Sequence, residues 1–510
     1  MIARPATTLW FAHHELNLAL RDWVSMMTAG KHHRQATVAV VLLVAAAVFH
    51  AIANAIVGPW AHSGIGMDKP TLVLLTGVGI LFLSLMMSQA MESVTRAYYT
   101  RSDLDLILSS PASSHRLFAV RTGAVTLTTI ALSSLLASPF INMLAWHDGA
   151  KWLNAYLVLI ALGAFATAIS VIITLALFKT IGPKKTRLAA QIVAAIVGAA
   201  FVIGIQAVAI LAYGSISRFT VLQSPELVAM APNIESIIWA PAYAAMGEFG
   251  NLILFLGFCF GLLGIVIAKS SSSFGKHAIA AAGISEERIQ NSAQTRSFKI
   301  GSTRQALRSK EWALLRRDPW LVSQTLMQIL YLLPPALLMW MNFGEISSAL
   351  IIVIPVLVMS AGQLAGGLAW LAISGEDAPD LVATAPISSR AILLAKIEAI
   401  LSVIGMIMLP LVIAIAFVSP YFALVTIFGV VLSAGSATAI QLWFRVQAKR
   451  TMFRRRQVSS RTATLSEAFS SIMWAGTAAL VAAEQWLFIA PALFAIMVMA
   501  IARAMRPKEE

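Results

Sequence analysis

Twelve apolar stretches constrain the fold of this chain more than any other feature of its sequence. A transmembrane helix needs about 20 mostly apolar residues. The chain is 59% hydrophobic and only 12% charged, which excludes an ordinary soluble protein. We therefore predict an all-α polytopic membrane protein with about twelve transmembrane helices, at residues 36–57, 71–91, 117–144, 152–178, 187–213, 250–269, 320–341, 347–373, 392–419, 421–445, 466–483 and 485–504.

The distribution of basic residues explains the net charge of +14 without a nucleic-acid partner. When loops are assigned alternately to the two sides, only Lys69, Lys151 and Arg218 fall on the side opposite the N-terminus. The positive-inside rule then predicts that both termini are cytoplasmic. Residues 466–504 must cross twice, with a turn near Glu484 and Gln485. We expect the basic loops to contact anionic membrane lipids and no nucleic acid.

A polar element occurs twice, each time between the second and third of six predicted spans. Residues 105–121 read DLILSSPASSHRLFAVR, and residues 380–396 read DLVATAPISSRAILLAK. A polar element repeated in order with membrane spans is typical of a transporter built from two tandem six-helix repeats. We predict halves at 1–269 and 301–510, joined by a mobile cytoplasmic linker at 270–300. The shared positions are Asp105, Leu106, Pro111, Ser113 and Ser114 in the first copy and Asp380, Leu381, Pro386, Ser388 and Ser389 in the second.

The repeated element has the residues of a helix–break–helix elbow. The proline fixes the break, and a serine after it can accept hydrogen bonds from the first free amides of the next helix. An ordinary reverse loop is the alternative, but the spacing is retained although the surrounding sequences differ, which favours a docking element. We predict that four basic residues anchor the second helix of each elbow at the lipid head groups: Arg116, Arg121, Arg390 and Lys396.

A second echo precedes the first span of each half. Residues 15–23 read ELNLALRDW, and residues 311–320 read EWALLRRDPW. Residues 7–23 and 304–318 are predicted to be helices lying along the cytoplasmic membrane surface. A soluble helix packed under the bundle is the alternative. The matching residues are Glu15, Arg21 and Asp22 in the first half and Glu311, Arg317 and Asp318 in the second.

Polar side chains inside predicted spans are candidate functional residues, because they are costly in a bilayer. We expect interhelical hydrogen bonds from them rather than substrate contacts, and for Glu398 a pairing with Lys396 and Arg390. The candidates are His50, Asn54, Gln206, Gln363 and Glu398. The glycines of the Gly362-x-x-x-Gly366 motif permit close helix approach, as a static packing face or as a moving seam between the halves.

The first half has a long external segment between its fifth and sixth predicted spans. The apolar segment 214–249 contains three prolines, and we expect it to form short helices that cap the external mouth.

No G-x-x-x-x-G-K-[ST] segment occurs, so any energy from ATP must come from another chain. His14-Glu15 begins like a zinc motif, but Leu18 stands where the second histidine is needed. We therefore predict no catalytic residue, no metal site and no cofactor bound by this chain.

These motifs resemble a permease of the bacterial type-2 ABC exporter class with two fused six-span halves. The segment that begins at Glu15, and again at Glu311, resembles the connecting helix of that family. The elbow resembles the family's coupling helix, which docks into a groove of the ATPase subunit, and its D-L-x-x-x-x-P-x-S pattern is similar to that of the large ABC exporter permeases of bacteria. The external segment also fits the family, although here only the first half has one.

The resemblance implies a non-catalytic permease in the bacterial cytoplasmic (inner) membrane. Two copies of a separate cytoplasmic ATPase, which would carry ATP and magnesium, would bind beneath the two elbows and drive export of an amphipathic or hydrophobic substrate. An ion-gradient-driven secondary transporter with a six-plus-six repeat is the main alternative, and a membrane enzyme or scaffold is a lesser one. The loop of 100–116 lacks the G-x-x-x-D-R-x-G-R-R-like pattern of major facilitator carriers.

Overall fold

The computed structural model is mainly helical in the residues that it describes. These are 35–62, 65–99, 114–213, 221–222, 224–282, 302–317, 347–374, 384–444 and 461–506, together with isolated residues at 13–14, 17, 21, 326–327, 329–330, 332–334, 337 and 382. No strand occurs among them. The predicted all-α class is confirmed for this part of the chain.

Ten segments of the described chain are long and apolar enough to cross a membrane. Helices suit such segments because their backbone hydrogen bonds are internal, so none is lost in lipid. They are Lys69–Thr95, His115–Asp148, Ala150–Gly182, Leu188–Ala212, Phe249–Ser271, Leu350–Ile373, Ser389–Val418, Pro420–Phe444, Ala463–Ala482 and Trp486–Ala504. They match ten of the predicted spans. Span 36–57 is helical with a shorter apolar part, Ala46–Ala61, and 320–341 lies largely outside the described residues.

We number the α-helices in chain order. They are α1 (Gln35–His62), α2 (Lys69–Tyr99), α3 (Ser114–Asp148), α4 (Asn154–Tyr213), α5 (Pro225–Met230), α6 (Ala240–Ala245), α7 (Phe249–Ala282), α8 (Thr303–Arg317), α9 (Ser347–Ser374), α10 (Ser389–Val418), α11 (Pro420–Phe444), α12 (Arg461–Ala482) and α13 (Ile489–Ala504). Three short 3₁₀ helices lie at Ala150–Leu153, Ile237–Trp239 and Trp486–Phe488.

A break at Gly182 divides α4 into two candidate spans. Its φ of 74° and ψ of 167° are not helical. Glycine adopts this left-handed region without the clash that a Cβ would cause. Pro183, which follows, cannot donate a backbone hydrogen bond across the break. The sequence IGPKK thus turns one apolar helix into two with hardly any loop.

The described chain forms two compact units. The first comprises Met1–Ile205 with Ser217–Gln294, and the second Gln206–Ile216 with Thr295–Glu510. In the first unit α1, α2 and α7 all pack on α3. In the second unit α9, α11 and α12 pack on one another, and α10 lies against α9 and α11. The core of the second unit includes the completely buried side chains of Leu350, Ile354, Leu357, Leu368, Ile400 and Ile415.

The glycine motif of α9 lies inside the second unit. A Cβ at Gly362 would overlap the hydroxyls of Ser433 on α11 and Ser471 on α12. A Cβ at Gly366 would overlap the carboxylate of Glu467 on α12. Close approach at these positions brings three helices of one unit together. This is the packing face that the sequence offered as one of two interpretations.

The segment between α4 and α7 contains α5, the 3₁₀ turn Ile237–Trp239 and α6. The prediction of short helices there is confirmed. They cover an apolar cluster that includes Trp60, Trp152 and Trp239. Lys69, at the start of α2, donates a hydrogen bond from Nζ to the Ala231 carbonyl at 3.1 Å. The segment is therefore packed onto the ends of the neighbouring helices.

Two predicted boundaries can be compared with the helices. The turn near Glu484 is confirmed, since α12 ends at Ala482 and Glu484 has a φ of 54°. The linker prediction of 270–300 is wrong in its first part, because α7 continues to Ala282. Ser271 fits this helix by donating from Oγ to the Ala268 carbonyl at 3.1 Å, and it also contacts His115 Nε2 at 2.7 Å. The rest of the linker lies outside the described residues.

Candidate functional site

The second elbow is partly described, and it leads directly into α10. Ser388 is the N-cap of this helix, and its side chain accepts a hydrogen bond from the Ala391 backbone amide at 3.3 Å. This is the cap that the motif predicts. Pro386, Ser388 and Ser389 are exposed, so this part of the elbow is free to meet another protein. Asp380 and Leu381 lie outside the described residues.

The first elbow contributes little to the described structure. α3 begins at Ser114, which matches Ser389, the first residue of α10. The other four predicted docking residues lie outside the described chain: Asp105, Leu106, Pro111 and Ser113.

A buried ion pair joins α8 to α10. Glu311 on α8 is 1% exposed, and Lys396 on α10 is 9% exposed. Lys396 Nζ lies 3.1 Å from Glu311 Oε1 and 3.2 Å from Oε2. It also donates to the Ala372 carbonyl at 2.5 Å, near the end of α9. One ammonium group therefore holds three helices together. Such pairs are sensitive, since removing one partner leaves the other charge buried.

A second, more exposed pairing reinforces the same contact. Glu398, two residues after Lys396 on α10, forms ion pairs with Arg308 and, at 3.7 Å, with Arg304 of α8. The predicted pairing of Glu398 with Lys396 and Arg390 is wrong, because Lys396 turns inward to Glu311 and α8 supplies the arginines. We call Arg304, Arg308, Glu311, Lys396 and Glu398 the α8–α10 joint.

The predicted lipid anchors divide into two kinds. Arg116 and Arg390 are exposed near the helix starts, so their contact with lipid head groups stays a prediction. Arg121 and Lys396 are buried, at 4% and 9% exposure, so their assignment as head-group anchors is wrong. Both lie seven residues along their helix, on the face that packs against protein. A buried cation requires polar partners within the protein.

The connecting-helix residues are described unequally. α8 ends at Arg317, and Asp318, Glu15 and Asp22 lie outside the described residues. Arg21 is helical and exposed. The predicted helix 304–318 is thus confirmed as Thr303–Arg317. It packs against α10 and α9 of its own unit, while contact with lipid stays a prediction.

The intramembrane polar candidates of the first half form interhelical hydrogen bonds, as predicted. His50 Nε2 on α1 lies 3.1 Å from Asn142 Nδ2 on α3, and Asn142 Oδ1 accepts from the Tyr156 hydroxyl of α4 at 2.8 Å. Asn54 Oδ1 lies 2.7 Å from His147 Nε2. These contacts join three helices. Gln206 is half-buried on α4, and Gln363 is exposed on α9, where the prediction of a hydrogen bond gains no support.

One intramembrane acid escaped the sequence analysis. Glu467 lies on α12 within a candidate span and accepts a hydrogen bond from Gln441 Nε2 of α11 at 2.5 Å. Beside it, the buried hydroxyls of Ser470 and Ser436 lie 3.0 Å apart. It is the second residue of predicted span 466–483, and the candidates named from the sequence do not include it. The glycine at 366, which makes room for its carboxylate, was the available signal.

The joint is a set of ion pairs in which Glu311 and Lys396 are buried, whereas Arg304 and Arg308 are exposed. Through these contacts α10 is joined to α8 and, by Lys396, to the Ala372 carbonyl of α9. No protein-family model, no curated protein and no solved structure matches this chain.

Proposed function

We propose that this chain is the permease of a type-2 ABC exporter, with twelve spans in two repeats and both termini in the cytoplasm of a bacterium. One fused chain supplies the whole transmembrane part. A separate ATPase binds in two copies, one below each elbow, and holds the ATP and magnesium. The chain itself is not an enzyme, and its substrate is amphipathic or hydrophobic.

The α8–α10 joint is the observation that carries this proposal. A docking element can drive transport only if force applied to it reaches the membrane helices. The elbow ends in the capped first turn of α10, and Lys396 lies two turns further along, where it contacts α8 and α9. A charge pair with this little exposure resists separation. The elbow, α10, α8 and α9 therefore move together. An ordinary reverse loop would not need such bracing.

Mechanically, ATP-driven closure of the two ATPase copies would push on both elbows. The push would tilt α3 and α10 and change which side of the membrane the substrate pathway faces. The substrate would then leave on the side opposite the ATPase. This direction follows from the resemblance to exporters and stays part of the proposal.

The test is purification of the tagged chain from its own host in mild detergent, with mass spectrometry of the proteins that accompany it. An ABC ATPase is expected with the wild-type chain. It should be lost from the Asp105→Arg/Asp380→Arg variant, because this change reverses the charge of the first residue of the predicted docking motif at both elbows. A Glu286→Arg/Glu287→Arg variant has the same change of charge in the linker, and it should keep the ATPase.

Each outcome decides one part of the proposal. Loss of the ATPase from the elbow variant alone supports both the permease and the docking role. Equal recovery with all three chains keeps the permease but contradicts the role of the elbows. If no ATPase accompanies any of them, even after cross-linking in intact membranes, the permease proposal fails.

Glu467 favours one alternative, a secondary transporter driven by an ion gradient. It is a carboxylate on a candidate span, and carboxylates in such positions often belong to ion pathways. A Glu467→Gln variant separates the two proposals. For a gradient-driven carrier, transport should lose its dependence on the ion gradient. For an ATPase-driven permease, transport should continue to follow ATP.

A further inference from the structure

Polar side chains at one end of the first unit form two separate hydrogen-bonded groups. The first group runs Tyr156–Asn142–His50, and the second consists of Asn54 and His147. Both groups lie between α1 and α3, near the end of the unit that carries the 3₁₀ helix Ala150–Leu153.

The first group uses its hydrogen-bonding capacity internally. His50 Nδ1 lies 2.7 Å from the Ala46 carbonyl, which can only accept, so this nitrogen carries the proton. His50 Nε2 therefore accepts from Asn142 Nδ2, and Asn142 Oδ1 accepts from the Tyr156 hydroxyl. With a neutral imidazole, every donor in this row of hydrogen bonds meets an acceptor. The row fixes the spacing of α1, α3 and α4.

The second group leaves the amide of Asn54 available to a ligand. His147 Nε2 donates to Asn54 Oδ1 at 2.7 Å, and this bond leaves the Nδ2 amide of Asn54 able to donate. Asn54 is exposed, and Gly58 lies behind the pair, so close that a Cβ there would be 3.4 Å from Asn54 Oδ1. The pair therefore faces outward from the unit.

The surroundings of this pair match a membrane–water boundary. Ala47 and Leu43 of α1 lie two and three turns before Asn54 on the same face of the helix, and both are exposed, Leu43 at 70%. Trp146 is 81% exposed at the other side, and Asp148 and Lys151 form an ion pair at 3.0 Å just beyond. Exposed tryptophan beside charged residues is typical of the head-group level of a bilayer.

From this arrangement we propose that Asn54 and His147 bind the phosphate of a membrane phospholipid. The Nδ2 amide of Asn54 donates to a phosphate oxygen, and the imidazole of His147 holds that amide in place. The acyl chains run along Ala47 and Leu43 toward the bilayer centre. At this boundary the phosphate offers the amide a charged acceptor, which forms a stronger hydrogen bond than a neutral one does. The proposal does not depend on the ABC exporter function.

Native mass spectrometry of the purified chain without its ATPase tests the site, with dioleoyl phosphatidylglycerol as the probe. Asn54→Leu removes the donor. Asn54→Asp keeps the size and still accepts from His147, but its carboxylate repels the phosphate. We expect each variant to bind this lipid about tenfold more weakly than the wild-type chain, the effect of one hydrogen bond to a charged group. The matched control is Gln363→Leu, which removes another exposed carboxamide from a span.

Two comparisons identify what is bound. Dioleoylglycerol, which lacks the phosphate, should bind weakly and equally to all four chains. Inorganic phosphate in excess should not displace the phospholipid, since the acyl chains contribute to binding; displacement would assign the site to a free anion instead. Equal binding of phosphatidylglycerol by the wild-type and Asn54 chains, with unchanged thermal unfolding, would overturn the proposal. Lipid binding without a co-purifying ATPase would leave this site standing while the exporter proposal fails.

Discussion

The two halves share their polar motifs but differ in what surrounds them. In the second unit, the helix after the elbow is tied to α8 by Lys396 and Glu311, and only a tight turn at Glu484 joins its last two helices. In the first unit, the matching cation is Arg121, also buried, and the segment with α5 and α6 covers the opposite end. Among the described residues, the halves thus share a buried cation after each elbow, whereas the opposite ends of the two units differ.

Under the proposed function, the elbow ends of the two halves serve the drive and the opposite ends serve substrate handling. Features near the elbows recur at the same register in both halves, which is expected if both bind the same kind of partner. Features at the far end occur once, which is expected if a substrate meets the two halves unequally. Four variants test the comparison, from the largest expected effect to the smallest.

The largest effect is expected from Lys396→Met. It leaves Glu311 buried without its main partner, which costs about 3 kcal/mol, at the low end for a broken buried pair because Lys310 also contacts Glu311. The midpoint of thermal unfolding in detergent should fall clearly. Arg390→Met, on an exposed residue of the same helix, is the control, and an equal fall in both variants would show that the pair is not special.

The second variant asks whether Arg121 plays the same part in the first half. The repeat predicts that Glu15 is its partner, as Glu311 is for Lys396. Arg121→Met should then cost up to about 3 kcal/mol. The exchanged pair Glu15→Arg/Arg121→Glu should recover much of the stability lost in Arg121→Glu alone. If the exchange restores nothing, the halves differ at this position too.

The third variant concerns the tight packing of the second unit. Gly366→Ala places a methyl group on the Glu467 carboxylate and should cost about 1–3 kcal/mol, as overpacking usually does. Gly367→Ala meets no atom within 4 Å and should leave the unfolding temperature unchanged. A stable Gly366→Ala protein would mean that Glu467 can move away from α9.

The smallest effect is expected from Ser388→Ala. It removes the side-chain cap of α10 and should cost about 1 kcal/mol. Ser389→Ala, at the next position, removes no cap and serves as the control. Ser113→Ala extends the test to the first elbow, where the repeat predicts the same cost. Unequal costs for Ser388 and Ser113 would show that the elbows are built differently.

The positions of the spans could be predicted because each is a local property of the sequence. The predicted spans 421–445 and 485–504 agree closely with the helices α11 and α13. The break at Gly182 was implicit in the boundary between spans four and five. The orientation of Lys396 could not be read in the same way. A basic residue two turns into a span normally reaches for the lipid head groups, and only the approach of α8 turns this one inward.

The same reason explains Glu398 and Glu467. The partners of Glu398 are on α8, many residues away in sequence, so the nearby Lys396 and Arg390 looked more plausible. Glu467 stands close to a basic loop, and the position of its carboxylate depends on Gly366 of another helix. In each case the local pattern identified the helix, while the choice of side-chain partner depended on helix packing.

The number of ATPase subunits bound per chain tests the central claim most directly. Native mass spectrometry of the cross-linked complex would count them for wild type, for Asp105→Arg, for Asp380→Arg and for the double variant. The account predicts two, one, one and none, because each half carries its own elbow. Two subunits retained on the double variant, or none on the wild-type chain, would contradict it.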